Sequence, residues 1–117
     1  MFADAVGDPG LDRIEAAALA AVFGRSGVPV TAPKALTGRL YAGAALDVAT
    51  ALLSIRDGVV PPTPGIVPAP EHGIDLVTEP RHGDVRTALI VARGHGGFNS
   101  ALVVRGPRTG NGTGGSR

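Results

Sequence analysis

Lys34-Ala-Leu-Thr-Gly38-Arg39-Leu-Tyr-Ala-Gly43-Ala-Ala45 runs through Leu46–Ile55 to Arg56-Asp57-Gly58-Val-Val-Pro61-Pro62-Thr63, and it decides the fold. A lysine and a glycine turn lead into a helix that is apolar on nearly every side. A helix without a wet face must be covered all round by protein or lipid. Its pattern predicts a helix from about Leu40 to Arg56, stopped by Gly58 and by the prolines that follow. Ala42, Gly43, Ala44, Ala45, Ala49 and Ala51 keep it thin, as suits a helix packed between layers.

Elements extend outward from this helix on both sides. Upstream, Asp12 and Glu15 have the spacing of a reciprocal N-cap. Ile14, Ala17, Ala18, Ala21 and Val22 form a helical stripe that Gly24 ends. Val28–Ala32 reads as a short strand, placed by Pro29 at an edge or a strand start. Downstream, Pro61–Pro70 is an extended connector and Ile74–Val77 alternates like a strand. Thr87–Ala92 and Ser100–Val104 flank Arg93-Gly-His95-Gly96-Gly97-Phe-Asn99, the pattern of a hairpin with a glycine-rich turn. Residues 107–117 read as a disordered tail, which leaves 1–106 as one domain unit.

Composition narrows the function. The chain has 117 residues, 44% hydrophobic and 18% charged, which is globular rather than disordered. Eleven basic residues balance ten acidic ones without a basic stripe, so nucleic acid is not expected. No cysteine is present, which removes disulfides, thiolate metal sites and a cysteine nucleophile from this chain. Leu40–Ile55 is shorter than the roughly 20 residues of a membrane span. The start has no signal-peptide pattern, so a soluble, cytoplasmic protein with no membrane partner is expected.

Single motifs carry little chemistry. The Gly94–Gly97 loop lies between strands, whereas a phosphate-cradling loop opens a helix. His72, His82 and His95 lack companions at ligand spacing, so no metal and no bound cofactor is expected. Lys34 is either solvated or faces an anionic group near the positive end of the helix. Arg39, a cation near that same end, either faces a carboxylate or lies on the surface.

The motifs taken together resemble the β-ketoacyl synthases. Lys34-Ala-Leu-Thr-Gly38-Arg39-Leu-Tyr-Ala-Gly43-Ala-Ala is similar to their Lys-x-x-x-Gly-His-x-x-Gly-Ala-Ala stretch. Arg56–Thr63 resembles the segment after that helix, and Ile74–Val77 the strand beyond it. Gly94-His-Gly-Gly-Phe-Asn99 resembles their Gly-Phe-Gly-Gly-Thr-Asn loop. The four motifs occur in order between Phe2 and about Arg105. The resemblance implies an α/β fold, the C-terminal portion of a thiolase-like αβαβα sandwich, with two helices and a mixed sheet ending in a β-hairpin.

Departures from the family pattern carry the functional expectation. Condensing members use one cysteine and two histidines to decarboxylate a malonyl-carrier protein and steady the developing charge. Arg39 stands where one histidine follows the glycine. The other lies in a segment like Asn-Ala-His-Gly-Thr, matched here by Phe2-Ala-Asp4-Ala-Val6. The forms Thr37-Gly-Arg-Leu-Tyr41 and Ala92-Arg-Gly-His-Gly-Gly-Phe-Asn99 resemble those of chain-length factors, the catalytically degenerate β subunits of type II aromatic polyketide synthases. That resemblance implies a heterodimer with an active ketosynthase α subunit, with tunnel shaping in place of catalysis. An acyl carrier protein would present its phosphopantetheine to the α subunit.

Asp4, Lys34, Arg39, His95, Gly96 and Gly97 then mark a vestigial site, with an Asp4–Arg39 ion pair expected across it. Two alternatives stand beside this reading. One is a piece of an active 3-oxoacyl-carrier-protein synthase, an acyltransferase; the other is a decayed, stand-alone α/β interaction module. The resemblance covers less than a full half of such a subunit, so Met1 is expected to be an internal start or a fragment boundary. Poor solubility or self-association is expected of the isolated chain.

Overall fold

The computed structural model describes residues 1–38, 40, 43–66 and 69–108, with the backbone alone at His95. Two long helices, α1 (Pro9–Phe23) and α3 (Gly43–Asp57), flank a one-turn helix, α2 (Lys34–Thr37). Strands are β1 (Pro29–Val30), β2 (Val59–Val60), β3 (Asp75–Leu76), β4 (Arg81–His82), β5 (Thr87–Arg93) and β6 (Asn99–Arg105). Two 3-10 turns, Pro70–His72 and His95–Gly97, complete the described elements.

Phe2 joins short pairings into one surface. It bridges in parallel to Thr31 on one side and to Ile90 on the other. The Phe2 N–H donates to the Leu89 carbonyl at 2.7 Å, and Thr31 N–H donates to the Met1 carbonyl at 2.9 Å. With β1 parallel to β3 and β5 antiparallel to β6, the order is β3, β1, Phe2, β5, β6. Only β6 runs against the others. A separate antiparallel ribbon pairs β2 with β4; neither of its two-residue strands carries a sequence pattern.

Alternation at the first strand assigns the two faces of the sheet. Phe2 is buried with Ala51, Ala88 and Ile90, and Val48, Ile55 and Val104 pack on that cluster, so α3 covers one face. Burying a side chain the size of Phe2 contributes roughly 1.5–3 kcal/mol. Ala3, the next residue, looks the other way into a cavity roofed by Ala16 and Leu19 of α1.

The long helix and the hairpin match the sequence expectations closely. Helix α3 ends at Asp57, and Gly58 follows with φ +67° and its N–H on the Ser54 carbonyl. The hairpin registers Thr87 with Arg105 and Arg93 with Asn99.

Helix α1 departs from expectation. It starts at Pro9 behind Asp8, whose carboxylate accepts from the Gly10 and Leu11 N–H groups. Asp8 outcompetes Asp12 as the cap because proline suits the first helical position. The buried residue is Ala16, while Ile14 and Val22 of the expected stripe are 63% and 74% exposed. The small residue faces the sheet, and the branched ones face outward. Val67, Pro68 and residues 109–117, within the expected connector and tail, lie outside the described residues.

Candidate functional site

Asp4 lies two residues beyond the Phe2 bridge and is buried. Arg93, the last residue of β5, donates from Nε to the Asp4 carboxylate at 3.1 Å. Its Nη2 also lies 3.8 Å from Glu15 Oε1. Glu15, on α1, accepts the Asp4 N–H at 2.7 Å and the Ala5 N–H at 2.9 Å. This carboxylate clasp holds Ala5 at φ +45°, a left-handed conformation that costs an alanine about 1–3 kcal/mol. Two elements, α1 and β5, thus converge on residues 4 and 5.

A second ion pair crosses from α2 to α3. Lys34 Nζ lies 2.9 Å from Asp47, with side chains only 12% and 5% exposed. Behind it, Thr63 pins the strand layer: its hydroxyl accepts the Ala32 N–H at 2.9 Å, and its N–H donates to the Val77 carbonyl at 2.7 Å. The Thr31 hydroxyl donates to the Pro61 carbonyl at 2.6 Å. The Pro-Pro-Thr segment is thereby tied to the ends of β1 and β3.

Glu15 and Lys34 line one cavity of about 430 Å³, whose walls are mainly apolar. Ala3, Ala5, Glu15, Lys34, Gly38 and Thr63 are among its walls. Chemically the cluster sets two carboxylates, Asp4 and Glu15, beside one guanidinium, Arg93, with the carboxylates as hydrogen-bond acceptors.

Residues 1–66, more than half of the chain, match the family model for the β-ketoacyl synthase C-terminal domain. The chain belongs to the β-ketoacyl synthase family. It is 72% identical over 108 residues to the tetracenomycin polyketide synthase ketoacyl synthase β subunit of Streptomyces glaucescens. That alignment takes in 90% of this chain and 26% of the relative, so the chain spans about a quarter of its length. Among solved structures, the ishigamide ketosynthase/chain length factor superposes with a TM-score of 0.83 at 28% identity, over 89% of this chain and 27% of that one. A type II polyketide synthase acyl carrier protein in complex with its ketosynthase gives 0.79 at 25% identity, over 89% and 27%.

Within this β-ketoacyl synthase domain, the expected site residues divide. Lys34 lines the cavity and is ion-paired rather than solvated, and Asp4 is buried between two residues of its wall, Ala3 and Ala5. Arg39 lies outside the described residues, and with it the expected Asp4–Arg39 pair. The backbone of His95–Gly97 forms the turn of the hairpin, with Gly96 at φ +78° and Gly97 at φ +83°. Gly94 N–H closes this turn on the Phe98 carbonyl at 2.7 Å. The turn meets the cluster through Arg93, which directly precedes it.

Arg93 is the member that sequence reasoning missed. It lies 89 positions from Asp4. The available signal was a charged residue closing an otherwise apolar strand beside a glycine turn. No helix among the described residues is long and apolar enough to cross a membrane.

Proposed function

We propose that this chain is the C-terminal portion of a chain-length factor, the non-catalytic β subunit of a type II polyketide synthase. It packs beside an active ketosynthase α subunit in the cytoplasm and helps shape the tunnel that holds the growing poly-β-ketone. The acyl carrier protein delivers its phosphopantetheine to the α subunit, and this chain binds no cofactor of its own. The vestigial site comprises Asp4, Lys34, Arg39, His95, Gly96 and Gly97, joined by Arg93.

One observation carries this reading: the position matching a catalytic histidine is Asp4, held by Arg93 at 3.1 Å. A site used for decarboxylation needs a group that donates to a developing enolate; here the donor is committed to a carboxylate within the chain. The similarity to the tetracenomycin β subunit supports the same role.

A segment exchange tests it. The matching C-terminal portion of the tetracenomycin β subunit is replaced by residues 1–108 and expressed with that system's α subunit. Co-purification as a one-to-one pair, with polyketide formed when carrier protein is added, is expected. A soluble exchanged subunit that fails to pair with the α subunit contradicts the proposal.

A further inference from the structure

Helix α3 has two apolar faces, and the described residues cover one. Ala51 is buried in the Phe2 cluster, with Val48 and Ile55 packed beside it. On the other side Leu46, Leu52 and Leu53 are 48%, 52% and 48% exposed, and Ala45 and Ala49 are exposed with them. These residues recur at helical spacing as one stripe. Thr50, the polar side chain beside it, donates its hydroxyl to the Leu46 carbonyl at 2.8 Å, so the stripe needs no polar partner.

The fold dictates what belongs on that stripe. In an αβαβα sandwich the middle helix carries a sheet on each side. The described residues supply α1, one sheet and α3, and the chain spans about a quarter of the tetracenomycin relative. A second copy of this chain has no free sheet face to offer, because α3 packs on one face of its sheet and α1 on the other. The stripe therefore fits the apolar face of a different sheet.

Resting on the chain-length-factor reading above, we propose that this face docks non-covalently on the remaining portion of a chain-length factor supplied as a separate polypeptide, so that two chains make one subunit. The contacts that build this portion are closed by its own residues: the Phe2 cluster, the Lys34–Asp47 pair and the Arg93–Asp4 contact with Glu15 behind it. The stripe is the surface left over. A peptide link between the two portions raises their effective concentration and adds no contact to that surface. The three leucines supply most of its apolar area and so carry the docking. Arg56 and Asp57, paired with each other at 2.7 Å and exposed at the helix end, keep their charges in water at the rim.

Co-expression of the 117-residue chain with the tetracenomycin β subunit lacking its matching portion, each carrying a different affinity tag, tests the docking. A soluble one-to-one complex is expected to survive purification on both tags. Leu52→Glu and Leu53→Glu, whose side chains are exposed in the free chain, are each expected to weaken it at least about thirtyfold in titration and to leave the circular dichroism spectrum unchanged. Val22→Glu, on α1 across the sheet and 74% exposed, is expected to bind like the unmodified chain.

A complex indifferent to both glutamates would overturn the proposal. So would a chain that stays monomeric, self-associated or insoluble beside the shortened subunit. In each of these cases the segment-exchanged subunit, made as one continuous polypeptide, still pairs with the α subunit if the functional reading holds. Failure of that continuous subunit as well removes the reading and the docking together.

Discussion

Arg93 and Asp4 meet Nε to carboxylate at 3.1 Å, joining the end of β5 to the N-terminal segment just beyond the Phe2 bridge. Glu15 completes the contact by taking the N–H groups of Asp4 and Ala5. Asp4 is thus held in a structural knot between α1 and β5. Replacing either Asp4 with Asn or Arg93 with Met should destabilise the fold by about 2 kcal/mol. The double variant should cost less than the sum, and denaturant melts of the full cycle measure the difference. Strict additivity would remove the pair from the account.

Ala5 offers a prediction of opposite sign. It holds φ +45° at the position where the family pattern has glycine. Ala5→Gly should be neutral or should stabilise by up to about 1 kcal/mol, since glycine takes this conformation without steric cost. A loss above that amount in urea melts would show that the clasp by Glu15 does not strain the backbone.

Lys34 and Asp47 form the more deeply buried pair. Lys34→Met alone should cost about 3 kcal/mol by leaving the Asp47 carboxylate uncompensated. Lys34→Met with Asp47→Leu should recover most of that loss, because an apolar pair needs no desolvation of charge. Equilibrium unfolding of the three variants provides the comparison; a double variant as unstable as the single one contradicts it.

Gly58 is required where it stands. Its φ is +67°, and an added Cβ would come within 2.7 Å of the Gly83 carbonyl oxygen. Gly58→Ala should therefore cost more than about 1 kcal/mol and loosen the β2–β4 ribbon, detectable as faster amide exchange at Gly83.

Acid sensitivity should have a surface contribution. The Arg81 guanidinium, hydrogen-bonded twice to Asp75 at 2.6 Å, holds that carboxyl below its ordinary value of 3.8, more than its partial burial raises it. A depressed folded-state value means the stabilisation is complete above 3.8 and is lost as pH falls below it. Arg81→Gln should narrow the difference between melting temperatures at pH 7 and pH 3; an unchanged difference assigns the acid limb elsewhere.

Much of this architecture was readable from local pattern. Residues 88–92 are apolar without interruption, Arg93 and a glycine follow, and apolar residues resume at Ala101, which only a hairpin accommodates simply. Gly58 followed by Pro61 and Pro62 fixed the end of α3. Long-range partnerships were not readable. Nothing near Arg93 points to Asp4, and the carboxylate that captures Lys34 lies inside the helix rather than before it. Two-residue strands such as β2 and β4 carry no periodicity at all. In α1 the side facing the sheet was misjudged because alanine, not the larger Ile14 or Val22, fits beneath a closely approaching helix. Asp4 and Lys34 were singled out by family resemblance, and their charge partners, Arg93 and Asp47, required the fold.

The central claim is that this segment serves a ketosynthase through shape, with all the carbon–carbon bond chemistry in the partner. The most direct measurement pairs the exchanged β subunit with an α subunit whose nucleophilic cysteine is replaced by alanine, then follows condensation of malonyl-carrier protein into polyketide. The account predicts none, with full recovery when the α cysteine is restored. Polyketide formed with the disabled α subunit, and abolished by Asp4→Asn, would contradict it.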